Sequence, residues 1–474
     1  MSALLDVDIC VIGAGSAGLS VAAGAAQLGA DTVLIEAHKM GGDCLNYGCV
    51  PSKALLAAAH AAAAGRAARR LGVEFGSGNV DFKRVHDHVH EVIAAIAPHD
   101  SVERFEGLGV RVILAKARFL SPTEVAAGDL RIRARRFVIA TGSTPLIPPI
   151  PGLDQVPYFT NETIFDNSTR PEHLLVLGGG PIGCELAQAH RRLGARVSII
   201  EMADLLPKDD RELVEILRGR LRAEEVALHE HTKTVGVEDT GSGLALITEC
   251  AGQPGRILGS HLLIAAGRRP NLAGLELDAA GVKHGPQGIA VDARLRSSNR
   301  RIFAIGDAAG GPQFTHAAGY HAGIVIRNAL FRLPAKTDYR AMPWVTYTEP
   351  EIAQVGLTEA QAIATSTAPR VLRWPLSQND RAQTERSTDG MVKAIVTRRG
   401  KILGASIAGP HAGESIQPWV LAMANGLKVA ALASMIAPYP TLGESNKRAA
   451  GSFYTPALFS ERTRRVVRFL RRFG

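Results

Sequence analysis

At 474 residues, with 46% hydrophobic and 21% charged side chains, the chain has an ordinary globular mixture and apolar content for roughly two to four domains. Five cysteines are too few for a secreted disulfide framework and fit a reducing, cytoplasmic setting. The first apolar run, over 9–12, is too short for a signal segment, and no stretch reaches the roughly 18 apolar residues of a membrane span. A net charge of +9 comes with no nucleic-acid module, which argues against a nucleic-acid partner.

In chain order, residues 8–12 read as a fully buried parallel strand that runs into Gly13-Ala14-Gly15-Ser16-Ala17-Gly18. A small-residue helix through Leu28, a second strand over 32–35 and an acid at Glu36 follow. This is a dinucleotide-binding unit. Gly13, Gly15 and Gly18 allow the tight turn, close approach to a pyrophosphate and close helix–strand packing, and Glu36 can accept from ribose hydroxyls.

Cys44 and Cys49 come next, within Gly41-Gly42-Asp43-Cys44-Leu45-Asn46-Tyr47-Gly48-Cys49-Val50-Pro51-Ser52-Lys53. They are a candidate redox-active pair. An ideal helix separates i and i+5 by about 7.5 Å along its axis, beyond the usual Cα separation of a disulfide. The pair therefore needs a bend, which Asn46-Tyr47-Gly48 supplies; Pro51 suits the first turn of the helix beyond. The alternatives are two buried structural thiols or a zinc site, which lacks a second Cys or His pair at ligand spacing.

The strand ending in Thr141-Gly142 leads to a Pro-rich linker over 145–151, a domain boundary. The first pattern then repeats: a strand over 174–177, Gly178-Gly179-Gly180-Pro181-Ile182-Gly183, a helix through Leu193, a strand over 196–200 and Glu201. Gly178, Gly180, Gly183 and Glu201 thus mark a second dinucleotide site. An acid there favours a free 2′-hydroxyl, so NAD(H) is expected over NADP(H). Gly267 marks the return crossing. Asp307 ends a further strand and is either a cofactor-holding acid or a cap for a helix starting near Thr315.

These residues together resemble the FAD-dependent pyridine nucleotide-disulfide oxidoreductases, the family of dihydrolipoamide dehydrogenase, glutathione reductase and mercuric reductase. The Cys44–Cys49 motif is its most specific mark, and Tyr347-Thr348-Glu349-Pro350-Glu351 looks like the start of its dimerisation domain. The resemblance implies an α/β fold with two Rossmann-like domains for FAD and NAD plus a C-terminal α+β domain that forms a homodimer. The segments would be 1–145 and 272–335 for FAD, 146–271 for NAD(P), 336–460 for dimerisation, and a basic tail over 461–474. It implies that Cys49 is the flavin-side thiol and Cys44 the interchange thiol. Lys53 would lie near the flavin and pair with Glu185, Thr141 and Gly142 would border the FAD, and Asp307 would hold its ribityl chain. The helix starting near Thr315 and His316 would point its positive end at the ring. Electrons would pass from NADH through FAD and the cysteine pair to a disulfide or metal-ion acceptor.

The chain departs from the disulfide reductases where they carry a His-Pro-Thr segment. Here Pro438-Tyr439-Pro440-Thr441 stands, with Glu444 five residues after the tyrosine. A tyrosine is a poor proton acceptor near neutral pH, which puts dihydrolipoamide oxidation in doubt. Mercuric reductases share a tyrosine there but receive metal on a C-terminal cysteine pair, whereas this sequence ends in Arg471-Arg472-Phe473-Gly474. Tyr439 is either a catalytic group or an interface anchor. Val466, Phe469, Leu470 and Phe473 recur among arginines at helical spacing. That tail suits either a solvated or dimer-packed helix or peripheral contact with the inner membrane surface. The second case suggests an alternative function, a flavoprotein carrying electrons to a quinone or a protein.

Overall fold

A computed structural model describes residues 4–74, 79–365 and 368–473. Contacts divide the chain into two units, residues 1–202 with 229–337, and residues 203–228 with 338–474.

The first unit is built on a seven-stranded sheet. Its centre is β1 (Leu4–Ile12), parallel to β2 (Thr32–Glu36) on one side and to Leu130–Ile139 on the other. The run Ile9, Cys10, Val11 is wholly excluded from solvent, as a strand covered on both faces requires. Helix α1 (Ser16–Gln27) packs its alanine-rich face on the sheet and on helix Thr315–Ala329. A short helix α2 (Gly42–Asn46) and a long helix α3 (Cys49–Ala67) follow, broken at Tyr47 and Gly48 where the sequence asks for a bend. A second parallel arrangement joins His173–Leu177 to Arg196–Ile200 and His261–Ile264. It is accompanied by an antiparallel meander of Thr232–Asp239, Leu244–Cys250 and Gln253–Gly259.

The second unit holds a five-stranded antiparallel sheet formed by residues 343–409, with helices around Trp419, which is fully buried. Helix Arg211–Ala223 belongs to this unit although it lies some 120 residues earlier in the chain than the rest. Its anchor is ionic. Lys393, on a central strand and almost unexposed, places Nζ 2.8 Å from Asp210 Oδ1, 2.8 Å from Glu212 Oε2 and 2.7 Å from Glu359 Oε2. Arg373 pairs with the same two glutamates. A buried ammonium is tolerable only because three carboxylates surround it, and removing one side of such a cluster typically costs about 3–5 kcal/mol. The basic tail forms helix Glu461–Leu470, with Val466, Phe469, Leu470 and Phe473 all exposed. Among the described residues no helix is long and apolar enough to cross a membrane.

Candidate active site

The first glycine turn is shaped as a cradle. Gly13 holds φ +104°, and a Cβ there would lie 2.4 Å from the Ala140 carbonyl oxygen; at Gly18 it would lie 1.8 Å from that of Gly13. Only glycine allows both strands and helix to close this tightly. Gly15 is the N-cap of α1, so free amides and the positive end of the helix meet at one spot. Glu36 is buried, and its carboxylate accepts from the Ala14 amide at 2.6 Å and the His38 amide at 2.7 Å. These features fit the pyrophosphate and ribose of a dinucleotide. Thr141 Oγ1 donates to the Asn271 carbonyl at 2.7 Å, and Gly142 accepts from the Asn271 amide, which fixes the strand end beside the cradle. Asp307 does not cap Thr315–Ala329, whose N-cap is Phe314. It sits in the short turn Gly306–Ala309 and accepts from Ser143 Oγ at 2.5 Å. Burial holds its carboxyl above the usual range, against the pull of Ser143 and Arg268.

Cys44 and Cys49 stand on either side of the bend between α2 and α3, and each thiol shifts the titration of the other. Cys49 also lies 3.4 Å from Thr315 Oγ1. The neighbouring Cys44 thiol is the chief reason the Cys49 thiol is pulled down to about 6; burial opposes it, while Thr315 and the Lys53 charge assist. Cys44 is pushed well up, first by the neighbouring Cys49 and then by burial. The direction of the two shifts favours thiolate at Cys49 and thiol at Cys44. Cys49 opens α3 and Thr315 opens its own helix, so two helix N-termini favour that charge. Lys53 Nζ is 2.8 Å from Glu185 Oε2, a carboxylate only 6% exposed. This is a fixed pair rather than two solvated charges. His316 stacks on Phe314 with ring centroids 5.2 Å apart.

The second glycine turn repeats the first. Gly178 holds φ +119° with Ala265 behind it, and a Cβ at Gly183 would lie 1.9 Å from the Gly178 carbonyl oxygen. Gly180 is the N-cap of Pro181–Arg192, and Glu201 Oε2 accepts from the Gly179 amide at 2.6 Å. Gly267, at φ +122°, closes the return crossing by accepting from the Leu146 amide.

Four residues that sequence reasoning passed over join this site. Arg268 Nη2 lies 3.0 Å from Asp43 Oδ1, and its Nε donates to Ser143 Oγ at 2.7 Å. Asn161 donates to Asp43 Oδ1 at 3.2 Å and to the Tyr47 carbonyl at 3.1 Å. Asp43 stands next to Cys44 in the motif and Arg268 next to Gly267, which was the available signal; Ser143 and Asn161 had none.

Tyr439 and Glu444 belong to the second unit. Tyr439 is well exposed, follows Pro438 in a turn with a cis bond to Pro440, and donates to Asp380 Oδ2 at 2.9 Å. That bond, and the charge of Asp380, raise its pKa further. Glu444 pairs with Arg448 at 2.7 Å and lines a cleft of about 280 Å³ with Asp380, Asn379, Gln378 and Trp374.

A redox thiol pair set beside one of two dinucleotide turns defines a flavoprotein disulfide reductase. Residues 7–322 match the family described as pyridine nucleotide-disulphide oxidoreductase, and residues 342–450 match its dimerisation domain. The chain belongs to this family, which depends on FAD and uses NAD(P)H. It is 38% identical to a mercuric reductase of Streptomyces lividans over 94% of this chain and 96% of the relative. It is 36% identical to a dihydrolipoyl dehydrogenase of Thermus scotoductus over 95% and 98%. Among solved structures it resembles the Cu(II) complex of the HOCl-induced flavoprotein disulfide reductase RclA from Escherichia coli, with TM-score 0.84, 28% identity and coverage of 93% and 99%. LpdA from Mycobacterium tuberculosis gives TM-score 0.86 and 28% identity, with coverage of 94% and 99%.

Proposed function

We propose that this protein is an NADH-driven, FAD-dependent reductase whose Cys44–Cys49 pair delivers two electrons to a disulfide or a soft metal ion. The observation that carries the reading is the asymmetric thiol pair, with Cys49 favoured as thiolate beside Lys53–Glu185 and Thr315. FAD, when bound, supplies the hydride and electron-pair chemistry that links nicotinamide to the sulfurs. The protein's own groups do the rest. With a disulfide acceptor, Cys44 gives up its proton, attacks one acceptor sulfur and expels the other as a thiolate, which takes up a proton. The Cys49 thiolate then attacks Cys44, forming the internal disulfide and releasing the second acceptor sulfur, which is protonated in turn.

Cys44 needs help in losing its proton. The raised phenol of Tyr439 is a poor base, so turnover of dihydrolipoamide should be weak, and a metal ion that binds thiolates directly is favoured as acceptor. The acid at Glu201 supports NADH over NADPH. The dimerisation domain supports a homodimer, with Tyr439 and Glu444 serving the thiols of the other copy. Cysteine usage supports the cytoplasm. Neither the fold nor the relatives add support to a membrane-surface role or a quinone acceptor.

The test is turnover of the purified holoprotein with NADH or NADPH against lipoamide, glutathione disulfide, mercuric ion and a quinone. Mercuric ion or glutathione disulfide should outpace lipoamide and the quinone; a quinone outpacing all others would overturn the reading. Tyr439→His should raise lipoamide activity, with general-base help worth roughly 10²-fold or more. Wild-type protein already fastest with lipoamide would show that the missing histidine does not matter.

A further inference from the structure

The loop that carries the two thiols contains a carboxylate of its own. Asp43 sits between Gly42 and Cys44, and a Cβ built on Gly48 would lie 2.9 Å from Asp43 Oδ2. The charge therefore rests inside the bend that brings the sulfurs together. An unpaired negative charge there would oppose the thiolate that the site needs. Arg268 meets it at 3.0 Å, from a side chain only 13% exposed. The same guanidinium donates from Nε to Ser143 Oγ at 2.7 Å, from Nη2 to the Ser143 carbonyl at 2.8 Å and from Nη1 to Asn161 Oδ1 at 3.3 Å. Its Nε lies 4.0 Å from Asp307 Oδ2. One cation thus stands between two carboxylates, one in the thiol loop and one at the strand end beside the first cradle. Asn161 completes the bracket by holding both Asp43 and the Tyr47 carbonyl.

We infer that Arg268 is a positioning residue for the redox thiols: it neutralises Asp43 and ties the Cys44–Cys49 loop to Ser143 and Asp307, so that the charge on Cys49 is kept. A lysine could supply charge but not the fork that reaches Ser143 and Asn161 as well as Asp43. The groups that act on Cys49 are Cys44 and Asp43 from the α2 side, Lys53 on its own helix and Thr315 from the helix opposite. Of these only Asp43 and burial work against the thiolate. Removing the neutralising cation should therefore move the thiolate midpoint upward, and removing Asp43 should move it downward.

The inference rests on the proposed role of Cys49 as the flavin-side thiolate. The test uses holoprotein reduced by two electrons, with the long-wavelength thiolate–flavin absorbance and the rate of thiol alkylation each followed against pH. Arg268→Gln should raise the midpoint by about one pH unit and Asp43→Asn should lower it, a nearby charge being worth about that much in a half-buried site. In the Asp43→Asn background Arg268→Gln should shift the midpoint less, because the charge it neutralised is gone and only its ties to Ser143 and Asp307 are lost. Arg268→Lys should restore most of the midpoint. Equal shifts from Arg268→Gln in both backgrounds, or no shift from Asp43→Asn, would overturn the inference. So would a variant that loses flavin while its midpoint stays put, since that is a purely structural role. Should Arg268→Gln fail to fold, Asp43→Asn alone still decides. Absence of the long-wavelength band in wild type would instead sink the role of Cys49, and alkylation would still report on Arg268 and Asp43.

Discussion

The two glycine turns repeat the same local chemistry, but the acid behind the first is buried and the acid behind the second is partly exposed. Gly13 and Gly178 both hold positive φ against a carbonyl behind them, and both acids accept from the amide of the residue after the first glycine. Glu36, however, is 8% exposed, whereas Glu201 is partly exposed. In the function proposed above, the first turn holds the nucleotide that stays and the second the one that arrives and leaves with each turnover. The thiol loop comes soon after Glu36, and a segment of the second unit comes soon after Glu201. On that proposal the same backbone device serves a resident cofactor and a consumed one, and the stretch of chain beyond each acid differs.

The largest expected effects come from breaking each turn separately. Gly13→Ala adds a Cβ 2.4 Å from a backbone oxygen at positive φ, strain and clash together. The protein should be purified with under about a tenth of its flavin, read from visible absorbance. Gly178→Ala meets the same obstacle at 2.3 Å but should retain flavin. Its reduction by NADH should slow more than about ten-fold while dithionite still reduces it. Equal flavin loss in both variants would show that the turns are not independent.

Next in size are the thiols. Cys49→Ser should abolish disulfide turnover and the long-wavelength band. Cys44→Ser should lose turnover but show the band without reductant, because Cys49 is left as a thiolate. Spectra that do not differ between the variants would remove the asymmetry assigned to the pair.

The acid of the second turn predicts a smaller effect. Glu201 should disfavour a 2′-phosphate by on the order of 1–3 kcal/mol, roughly five- to a hundred-fold in kcat/KM. Glu201→Ala should shrink the preference, and a higher kcat/KM for NADPH in the wild type would contradict it. Smallest is the pH effect. The Cys49 thiol is lowered to about 6, so the charged form prevails above that pH and the band should fade as pH drops through it. Thr315→Val removes one supporting bond and should move the midpoint upward by a fraction of a unit, as seen in a spectrophotometric titration.

Both strand–turn–helix units were legible in the sequence because each is local. A wholly apolar run feeding a glycine turn has few alternatives, and the acid at the end of the next strand lies only some twenty residues on. The bend between the cysteines was legible for the same reason, since five positions leave little freedom. The pairing of Asp43 with Arg268 was not. The two lie 225 residues apart, each reads as an ordinary charged residue, and only the fold brings them together. Helix Arg211–Ala223 was equally mute. Its pattern is that of any amphipathic helix, and its counter-charge, Lys393, is 183 residues from Asp210.

That ionic anchor has a consequence for how the chain is made. A polypeptide leaves the ribosome from its N-terminus at a pace slow compared with local helix formation. Asp210 and Glu212 emerge long before Lys393, so the helix that carries them must wait, solvated and incompletely packed, until the late strand exists. Domains generally fold as units during synthesis, but this one cannot close until most of the message has been translated. A nascent chain halted before residue 393 should leave helix Arg211–Ala223 open to proteolysis while the first glycine turn is already assembled.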